Sequence, residues 1–574
     1  MPYCADFETI VSTEKTRVWA WAVCEIETEQ YYYGNSMYSF FRFLKMNPDT
    51  YYFHNLKFDG EFIVSYLFED GYTYNTTRKL KAKEFTGIIA DTGQWYNLIV
   101  KMNSKIKIKF LDSLKILPFS VEQIAKAFSL PIQKLKIDYT ADREIGHELT
   151  EEEKAYIRND VTIVAKALKV LFNQGLTKMT QASNAMFDYK KTIGAKSFKY
   201  WFPILDDEVD KIIRKSYKGG FTYLKDEYKE KDVKDGIVLD VNSLYPYVMY
   251  SEKLPYGNPI RYEGKYEWKL GYPLYIQYFT CCFELKSNHI PTLQIRHSSY
   301  FAPNEYVKSS QGRDYTLCMT NVDLEIFMEH YDVYGIQWHY GYMFHGVEGM
   351  FSDYIDKWTK VKIQADIDGN NGLRTLAKLM LNALYGRFGL NPNCTRKIPY
   401  LENGIVKYKV GEQETRPPVY IPMATFITAY ARRKTITSAQ AVYDRFIYAD
   451  TDSLHLLGTE LPDLEIHDTK LGAWKHESTF NRARFIRQKC YIEHWVMHKN
   501  KSVNENNITC AGLPKNCIYG ARVYKTKLKG NIWAVSCKKI SFQNFHTGLT
   551  VSGKLIPKHV VGGVVLFDTD FTIK

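Results

Sequence analysis

The chain has 574 residues, of which 45% are hydrophobic and 24% are charged, which excludes a disordered or fibrous protein and predicts a folded globular one. This length exceeds what one hydrophobic core supports, so about three or four domains are expected. The net charge of +12 and the pI near 8.9 favour a polyanionic partner such as nucleic acid, although a moderate positive charge also promotes solubility.

Cysteine spacing and hydropathy exclude further classes of protein. None of the ten cysteines belongs to a Cys-x-x-Cys pair, so the usual zinc-ribbon and dithiol signatures are absent, and the adjacent Cys281 and Cys282 are expected to be strand residues. No apolar run approaches the ~18 residues of a membrane span, and no basic segment leads into an apolar one at the N-terminus. The sequence therefore predicts a reduced, cytosolic protein without membrane association.

Four carboxylates stand in a suggestive order in the first third of the chain. Asp6 and Glu8 lie near the N-terminus, Asp59 follows a Tyr-Tyr-Phe strand, and Asp160 lies one helical turn after Tyr156. Four such groups can hold two Mg²⁺ ions, and a tyrosine beside them can orient an attacking water. Each of these residues is a weak signal alone, because Asp-x-Glu is a common string.

The clearest helix of this region begins at Thr150. Thr150 and Glu153 form a capping box, and Gly175 stands where the helix is expected to end. Tyr156 and Asp160 are therefore predicted to lie on a well-formed helix.

A second carboxylate follows a buried strand in the segment 236–246. The run Gly-Ile-Val-Leu is apolar and β-branched, it ends in Asp240, and polar residues then open a short helix. The end of a buried strand is a common place for metals and phosphates. A lone Asp at such a position is also a common helix cap or turn residue.

The segments 253–349 and 391–420 are expected to be folded β-structure with turns and not flexible linkers. The first has Gly, Pro and Tyr throughout, and the second is hairpin-like and ends in Arg-Pro-Pro. At the C-terminal end, Gly562-Gly563 predicts a turn between two Val-rich runs.

A strong helix is predicted from Leu373 to Phe388. Lys378, Asn382 and Tyr385 fall on one face, with leucines, a methionine and Ala383 broadly opposite. Such a face can bind a triphosphate through the lysine and stack the tyrosine on a nucleoside. A solvated polar helix face is the alternative interpretation of the same pattern.

The most specific motif is Tyr-Ala-Asp-Thr-Asp-Ser at 448–453. It predicts a strand, a turn and a second strand, with Asp450 and Asp452 at the apex. Two acids so close repel each other unless cations lie between them. Together with Asp240 they can hold two divalent metals about 3.5–4 Å apart, the arrangement that clamps an in-line phosphoryl displacement.

These three segments resemble motifs A, B and C of the family B DNA polymerases. The resemblance implies a polymerase with metal ligands at Asp240, Val241, Asp450 and Asp452, and with nucleotide contacts at Tyr245, Lys362, Lys378, Asn382 and Tyr385. Three further elements resemble the family's Tyr-x-Gly-Gly, template-contacting and Lys-x-Tyr motifs, which implies DNA contacts at Tyr217, Gly219, Gly220, Thr428, Arg432, Lys489 and Tyr491.

The N-terminal carboxylates resemble the three exonuclease motifs of proofreading polymerases, which lie in an RNase H-like fold. The resemblance implies that Asp6, Glu8, Asp59 and Asp160 are metal ligands and that Tyr156 and Lys134 share in catalysis. It also implies contacts to the single-stranded 3′ end at Thr9, His54, Asn55, Phe58, Ser113, Leu114 and Tyr139. For Phe58, packing in the core is the alternative.

Long strings at 52–60, 376–382 and the C-terminus resemble the phi-29 type within this family, the protein-primed polymerases of small Bacillus phages. The implied fold class is α/β and α+β multidomain, an exonuclease domain followed by a right-hand polymerase with two protein-priming insertions. The implied divisions are exonuclease 1–180, palm 181–252, first insertion 253–349, fingers 350–390, second insertion 391–420, palm 421–510 and thumb 511–574.

The resemblance also implies cofactors and partners. The cofactor is Mg²⁺, two ions in each active site, with Mn²⁺ as a substitute. The partners are a DNA template and primer, dNTPs, a terminal protein and a phage single-stranded-DNA-binding protein. The chain is expected to act as a monomer in the cytoplasm of an infected bacterium.

The sequence departs from the family pattern at several places. Ala383 stands where a serine is usual, and Ala449 where a cysteine or glycine is usual. The run 367–372 is expanded, which predicts a longer turn in the fingers, and residues 492–545 match poorly.

Two other functions stay open at this point. One is a nuclease or a polymerase that does not use a terminal protein, and the other is a DNA-binding replication accessory whose acids are structural. The complete set of three palm carboxylates argues against the accessory, and primer extension with Mg²⁺ and dNTPs separates all three.

Overall fold

The computed structural model of the chain describes the residues 1–10, 15–77, 79–138, 141, 143–295, 298–302, 304–514, 517–518, 522–528, 532–537 and 539–574. Within this part of the chain, no helix combines the length and the apolar character that crossing a membrane requires.

The N-terminal part is a mixed sheet covered by helices. Its elements are β1 (Tyr3–Thr9), β2 (Val18–Glu25), β3 (Tyr31–Gly34), α1 (Met37–Met46), β4 (Thr50–Phe53), α2 (Leu56–Glu69), β5 (Thr73–Tyr74), β6 (Glu84–Ile89), β7 (Trp95–Lys101), β8 (Lys107–Asp112), α3 (Val121–Ala127) and α4 (Glu151–Asn173). The strand order is β3-β2-β1-β4-β8-β7-β6-β5, with β1 and β4 parallel. The carboxyl ends of β1 and β4 therefore lie at the same edge of the sheet.

Helix α4 has the predicted capping box. The Thr150 hydroxyl accepts from the Glu153 backbone N–H, and the Glu153 carboxylate accepts from the Thr150 N–H. Gly175 has a left-handed φ of 73° just beyond the helix end. The buried face of α4 packs on β1 and β2, which brings Tyr156 and Asp160 to the strand that carries Asp6.

Four helices and two strands follow: α5 (Gln181–Ile193), α6 (Ala195–Trp201), α7 (Asp207–Arg214), β9 (Thr222–Leu224), β10 (Asp232–Val241) and α8 (Leu244–Ser251). Strand β10 is buried from Gly236 to Leu239 and then reaches Asp240. Ser243 has a left-handed φ of 57° at the start of α8, so the chain turns sharply directly after the carboxylate.

The segment 253–349 forms its own sheet. It contains β11 (Leu254–Glu263), β12 (Leu274–Leu285), β13 (Tyr315–Thr320), α9 (Asn321–His330) and β14 (Tyr331–Val347), with the strand order β11-β14-β12-β13. Cys281 and Cys282 lie on β12, as expected. Helix α9 interrupts the predicted strand-rich pattern, and Thr320 caps it by accepting from the Asp323 N–H.

Two antiparallel helices come next, α10 (Ser352–Ile367) and α11 (Asn371–Phe388). Of the predicted turn over 367–372, residues 368–370 connect the two helices. Asn370 caps α11 by accepting from the Leu373 N–H, so Asn371 and Gly372 are already helical.

The segment 391–420 contains β15 (Asn393–Cys394), β16 (Lys397–Glu402), β17 (Ile405–Val410) and β18 (Glu414–Thr415). Strands β16 and β17 form a hairpin, and β15 pairs with β18 at its base.

The central sheet is completed after this hairpin. Its elements are α12 (Ile421–Ala441), β19 (Phe446–Asp450), β20 (Ser453–Leu457), β21 (Trp474–Arg487), β22 (Cys490–His498) and β23 (Lys501–Cys510). The strand order is β23-β22-β21-β10-β20-β19-β9. Strand β10 pairs with both β20 and β21, so Asp240 faces the turn between β19 and β20.

The C-terminal part consists of two hairpins. Strand β24 (Arg522–Leu528) pairs with β25 (Ile532–Cys537), and β26 (Thr550–Val560) pairs with β27 (Gly563–Thr572). Gly562 has a left-handed φ of 88° in the second turn, as the Gly-Gly signal predicts.

Two candidate active sites

The first site lies at the edge of the N-terminal sheet. Asp6 and Glu8 project from β1, Asp160 from α4 and Asp59 from α2. Carboxylate oxygens of Asp6, Glu8 and Asp160 lie within 4.8 Å of one another. The structure therefore brings together the residues that the sequence distributes over more than 150 positions.

Burial and mutual repulsion perturb these acids. Burial, and then the charge of Asp160, raise the pKa of Asp6 to about 7. Burial and neighbouring carboxylates also raise the pKa of Glu8 and Asp59 well above their usual range, and burial raises the pKa of Asp160. Buried acids that repel each other require a cation or a proton.

The site fits divalent metal ions. Within the described residues, Asp59 Oδ1 and Asp160 Oδ1 are buried without a hydrogen-bond partner. Hard cations such as Mg²⁺ prefer carboxylate oxygens, so these orphaned atoms and the Asp6, Glu8 and Asp160 cluster match a metal-ligand set.

Lys134 and Tyr156 stand beside the carboxylates. The Lys134 ammonium donates to Asp160 and lies 5.5 Å from the centre of the Tyr156 ring. Asp6, Asp160 and Lys134 line a cavity of about 130 Å³, which has room for water and a small part of a substrate.

The predicted strand-contacting residues lie around the same edge. His54 bonds Ser113 Oγ at 3.0 Å and the Phe119 carbonyl at 2.7 Å, which holds its ring against the loop after β8. Burial lowers the pKa of His54, so the neutral imidazole is favoured. Asn55 is exposed with a left-handed φ of 80°.

The other predicted contacts are less uniform. Phe58 is half-buried and its ring lies 5.5 Å from that of Phe62, so it combines core packing with an accessible edge. Thr9 and Leu114 are half-buried. Tyr139 lies outside the described residues.

The second site lies in the seven-stranded central sheet, which contains β10, β19 and β20. Asp240 ends β10, and Asp450 and Asp452 flank the turn from β19 to β20, where Thr451 has a left-handed φ of 61°. The Val241 N–H donates to the Asp452 carbonyl at 2.7 Å, which ties the two carboxylate-bearing segments together.

Burial and neighbouring carboxylates perturb the acids of this site as well. Burial, then Asp452 and Glu477, raise the pKa of Asp240 to about 7, against the charges of Lys378 and Lys475. Burial also raises the pKa of Asp452. A site with these carboxylates and raised pKa values fits divalent cations by the same argument as the first.

Asp450 is held by a separate network. It accepts from the Lys489 ammonium at 2.6 and 2.7 Å and from the Thr222 hydroxyl at 3.0 Å. The Lys489 N–H in turn donates to the Tyr448 hydroxyl at 3.0 Å, and the Tyr491 ring packs 5.4 Å from that of Tyr448. The Lys-x-Tyr element is therefore in direct contact with the carboxylate site.

Helix α11 presents the predicted nucleotide face beside the carboxylates. Lys378 and Asn382 are exposed, and the Tyr385 ring stacks on that of Tyr245 with centroids 3.9 Å apart. Burial, and then the charges of Arg374 and Lys378, lower the pKa of Lys362 on α10. Helices α10 and α11 thus carry a cluster of cations that an anion would stabilise.

A buried arginine holds the backbone of the Tyr-x-Gly-Gly loop in place. Arg432 is 5% exposed and donates to the carbonyls of Lys218 and Gly219 and to the Asp323 carboxylate. Thr428 is buried and its hydroxyl donates to Ala424 O. Arg432 therefore supports the loop, whereas the Thr428 hydroxyl bonds within α12, and a direct template contact by either residue stays a prediction.

The loop itself approaches the carboxylate turn of the sheet and the end of helix α11. A Cβ on Gly220 would lie 2.7 Å from Thr451 Oγ1, so only glycine fits beside the carboxylate turn. The Tyr217 hydroxyl lies against Gly389 at the end of α11.

Several site residues were not foreseen from the sequence. Lys475 and Glu477 reach Asp240 because β21 pairs directly with β10. Thr222 and Asp323 are likewise brought in by pairing and packing. A local signal existed for Asp323 alone, because Thr320 and Asp323 form a helix-capping pair.

The chain matches the family model described as DNA polymerase type B, organellar and viral, at residues 41–146 and 136–471. It is 47% identical to the DNA polymerase of Bacillus phage phi29 over 582 aligned residues, which cover 100% of this chain and 99% of that one. It is 31% identical to the DNA polymerase of Streptococcus phage Cp-1 over 597 residues, which cover 100% and 98%.

Solved structures give the same result. The structure of phi29 DNA polymerase with primer-template DNA and incoming nucleotide substrates matches with a TM-score of 0.92 and 44% identity over 100% of both chains. The structure of phi29 DNA polymerase with single-stranded DNA matches with a TM-score of 0.91 and 43% identity over 100% of both chains. The predicted multidomain α/β and α+β fold and the resemblance to the phi-29 type are confirmed.

Proposed function

Because this chain belongs to the organellar and viral type B DNA polymerases and is a DNA polymerase of the phi29 type, we propose that it replicates a linear viral genome from a protein primer, with its own proofreading and strand displacement. The observation that carries the proposal is the meeting of Asp240, Asp450 and Asp452 with the Lys378 face of α11 in one site, while a second carboxylate site lies in another sheet.

In the polymerase site, the primer 3′ oxygen bonds the α-phosphorus of a dNTP and pyrophosphate leaves. Lys378 and Lys362 bind the triphosphate and offset its charge, and Asn382 borders the nucleoside. Tyr245 lies under the sugar and Tyr385 holds its ring in place. When the primer binds, the Lys489 ammonium leaves Asp450 and contacts the primer end. It can do so because it lies within reach of the carboxylate site and is half-exposed.

Polymerases of this family use divalent metal ions. We assign two Mg²⁺ to each site, with Mn²⁺ as a substitute, held by Asp240, Asp450, Asp452 and the Val241 carbonyl in one and by the four N-terminal carboxylates in the other. When bound, such ions lower the pKa of an attacking hydroxyl or water and screen the charge that develops on the phosphate.

In the exonuclease site, Tyr156 orients a water and Lys134 offsets charge on the scissile phosphate. Support comes from the contact of Lys134 with both Asp160 and the Tyr156 ring beside a cavity of about 130 Å³. His54, Asn55, Phe58, Thr9, Ser113 and Leu114 line the same edge of the sheet and hold the unpaired 3′ end, and Tyr139 is assigned to the same role.

The second insertion (391–420) closes a ring around the DNA together with the exonuclease domain (1–180) and the thumb (511–574). Support comes from Val406 of β17 and Val564 of β27, which are buried in the same hydrophobic cluster as exonuclease residues. The Tyr408 hydroxyl also donates to Glu61 of α2 at 2.6 Å, and His559 of β26 lies 3.5 Å from the same carboxylate. A closed ring explains processive synthesis, and a narrow one explains strand separation.

The remaining assignments concern partners. Relatives have been solved with primer-template DNA and with an incoming nucleotide, and this chain binds the same partners. The first insertion (253–349) docks the terminal protein, whose hydroxyl receives the first nucleotide between the palm (181–252, 421–510) and the fingers (350–390). The enzyme acts as a monomer in the cytoplasm of the infected host, with a phage single-stranded-DNA-binding protein on the displaced strand.

Primer extension on a primed template with Mg²⁺ and dNTPs is the direct test. We expect long products, which disappear with Asp452→Ala and with EDTA. Degradation of the primer without any extension would leave only a nuclease, and DNA binding without either reaction would support an accessory protein. Transfer of a labelled dNTP to the phage's terminal protein in the absence of a DNA primer tests protein priming separately.

A further inference from the structure

Two cysteines face each other where the central sheet ends. Cys490 begins β22 and Cys510 ends β23, and they are direct partners in the antiparallel ladder. The Ala511 N–H donates to the Lys489 carbonyl at 2.8 Å, so the two cysteines occupy a non-hydrogen-bonded position. At such positions the Cα atoms are about 4.5 Å apart and the side chains are closest, within the range that a disulfide spans.

The two thiols are already in contact. The Cys490 S–H donates to Cys510 Sγ, with 3.2 Å between the sulfur atoms. This hydrogen bond, aided by the Arg487 charge, lowers the pKa of Cys510. The same bond, together with burial, raises the pKa of Cys490. Cys510 is half-buried, while Cys490 is fully buried, so Cys510 is the thiol that an oxidant reaches.

A cavity of about 980 Å³ opens beside this pair. It is lined by Lys489 and Ala511, the immediate neighbours of the two cysteines, and by Gly220 before β9 and Thr222 at the start of β9. A small disulfide or peroxide can therefore approach the end of the hairpin from the side of the polymerase site.

The position matters because of what lies next to it. Lys489 is adjacent to Cys490, has a left-handed φ of 56°, and joins Asp450 through its ammonium and Tyr448 through its N–H. Residues after Cys510 lead into the C-terminal hairpins. A bond between the cysteines would thus join the strand of the Lys-x-Tyr element to the start of the thumb.

We propose that Cys490 and Cys510 are a redox-active pair that closes into a reversible disulfide and thereby restrains the Lys489 backbone. That restraint acts on polymerisation only through the primer contact of Lys489, so this consequence rests on the proposed function. The bond itself does not depend on it.

The chemistry balances with glutathione disulfide as the oxidant. The Cys510 thiolate attacks one sulfur of the oxidant, forms a mixed disulfide and releases one glutathione thiolate. Cys490 then gives up its proton and attacks the Cys510 sulfur, which forms the protein disulfide and releases the second glutathione. The two protein thiols lose two electrons, the oxidant gains them, and the two thiol protons end on the two released glutathiones. A dithiol reductant reverses the reaction.

A second cysteine pair provides an internal comparison. Cys4 and Cys24 are also ladder partners, between β1 and β2. The Ile26 N–H donates to the Pro2 carbonyl, so alternation makes Cys4 and Cys24 a hydrogen-bonded pair, with more widely separated side chains. Both are fully buried, and burial raises the pKa of both thiols. We expect this pair to stay reduced.

The experiment uses the full-length enzyme with and without glutathione disulfide. Remaining thiols are alkylated, the protein is digested, and the peptides are mapped by mass spectrometry. We expect a loss of two of the ten thiols, a linked peptide pair that contains Cys490 and Cys510, and recovery with dithiothreitol. Absence of the link, or glutathione held permanently on Cys510, would overturn the disulfide.

The functional consequence is measured as the ratio of primer-extension rates of oxidised and reduced enzyme. Shortening the sulfur separation to the about 2.0 Å of a disulfide displaces the start of β22, so extension should slow several-fold and recover on reduction. Cys510→Ser should abolish this ratio change, and the matched control Cys282→Ser should keep it. If the disulfide formed and the ratio of extension rates did not change, the disulfide would not act on the primer contact of Lys489. The polymerase assignment would stay intact.

Discussion

The rings of Tyr245 and Tyr385 stack with centroids 3.9 Å apart and with 17° between their planes. Burial, and then the neighbouring Tyr385 hydroxyl, raise the pKa of Tyr245. Tyr245 lies on α8 directly after the carboxylate strand, and Tyr385 lies on α11. The two parts of the chain that frame the proposed nucleotide site therefore share one aromatic wall, and the position of each ring restricts the other.

Tyr245 should exclude ribonucleotides, because a ring in this position leaves no room for a 2′ hydroxyl. Tyr245→Val should raise rNTP incorporation relative to dNTP by about 10- to 200-fold, the size of a modest steric contact in an enzyme pocket. Tyr250→Val, on the same helix but exposed, is the control and should not change it. Equal discrimination by Tyr245→Val and wild type in single-nucleotide incorporation would remove Tyr245 from this role.

The two carboxylate sites should be separable. Asp6→Ala with Glu8→Ala should abolish digestion of a single-stranded 3′ end and leave primer extension, because both residues lie on β1, in a different sheet from the polymerase carboxylates. Asp452→Ala should have the opposite effect. Asp444→Ala, an exposed acid just before β19, is the control. Loss of both activities in a folded double variant would contradict the assignment of two sites.

Lys378 should act on the incoming triphosphate. Lys378→Ala should raise the dNTP KM and also lower kcat, since phosphate charge increases during transfer. Loss of one charge-assisted contact of about 1.5–3 kcal/mol predicts a decrease of about 10- to 150-fold in kcat/KM. Lys360→Ala, exposed on α10, should leave both constants near wild type. An effect of Lys378→Ala on DNA affinity alone would move this residue out of the nucleotide site.

The ring should govern product length. Deletion of 391–420 should preserve short gap filling, shorten products on a primed circular template and stop synthesis at the first duplex. Tyr408→Phe should shorten products to a lesser degree, because it leaves the buried Glu61 carboxylate without its donor, at a cost of about 1–3 kcal/mol to the contact.

Tyr400→Phe in the same hairpin is the control for the point variant. Long strand-displacement products from the deletion variant, measured on a single-primed circle with excess trap DNA, would contradict the ring.

The N-terminal carboxylates should destabilise the metal-free protein at high pH. Because the folded-state pKa of Asp6 is about 7 against an ordinary value of 3.8, the folded protein holds a proton that the unfolded chain releases, and stability falls as pH rises between these values. Asp6→Asn with Glu8→Gln should therefore raise the unfolding temperature in EDTA at pH 8 and have little effect at pH 4. Added Mg²⁺ should stabilise the wild type more than the variant at pH 8. If the variant and the wild type had equal unfolding temperatures at pH 8 as well as at pH 4, these acids would not repel each other in the folded protein.

The local elements and the identity of the carboxylates could be predicted from the sequence alone. The capping box of Thr150 and Glu153 predicted where α4 begins, and the lysine, asparagine and tyrosine spacing predicted the exposed face of α11. These features depend on hydrogen bonds and side-chain periods within a few residues, so they can be predicted from the sequence. The resemblance to a known family also predicted the order of the motifs along the chain.

The distant residues that complete each site could not be predicted in this way and became known from the fold. Lys475 faces Asp240 through a strand register, Arg432 holds the Gly219 loop from behind, and Tyr408 reaches Glu61 across 347 positions of the chain. The physical reason is that strand pairing and helix packing are selected by burial of apolar surface over the whole chain, and polar contacts form only where that burial brings their atoms within hydrogen-bond distance.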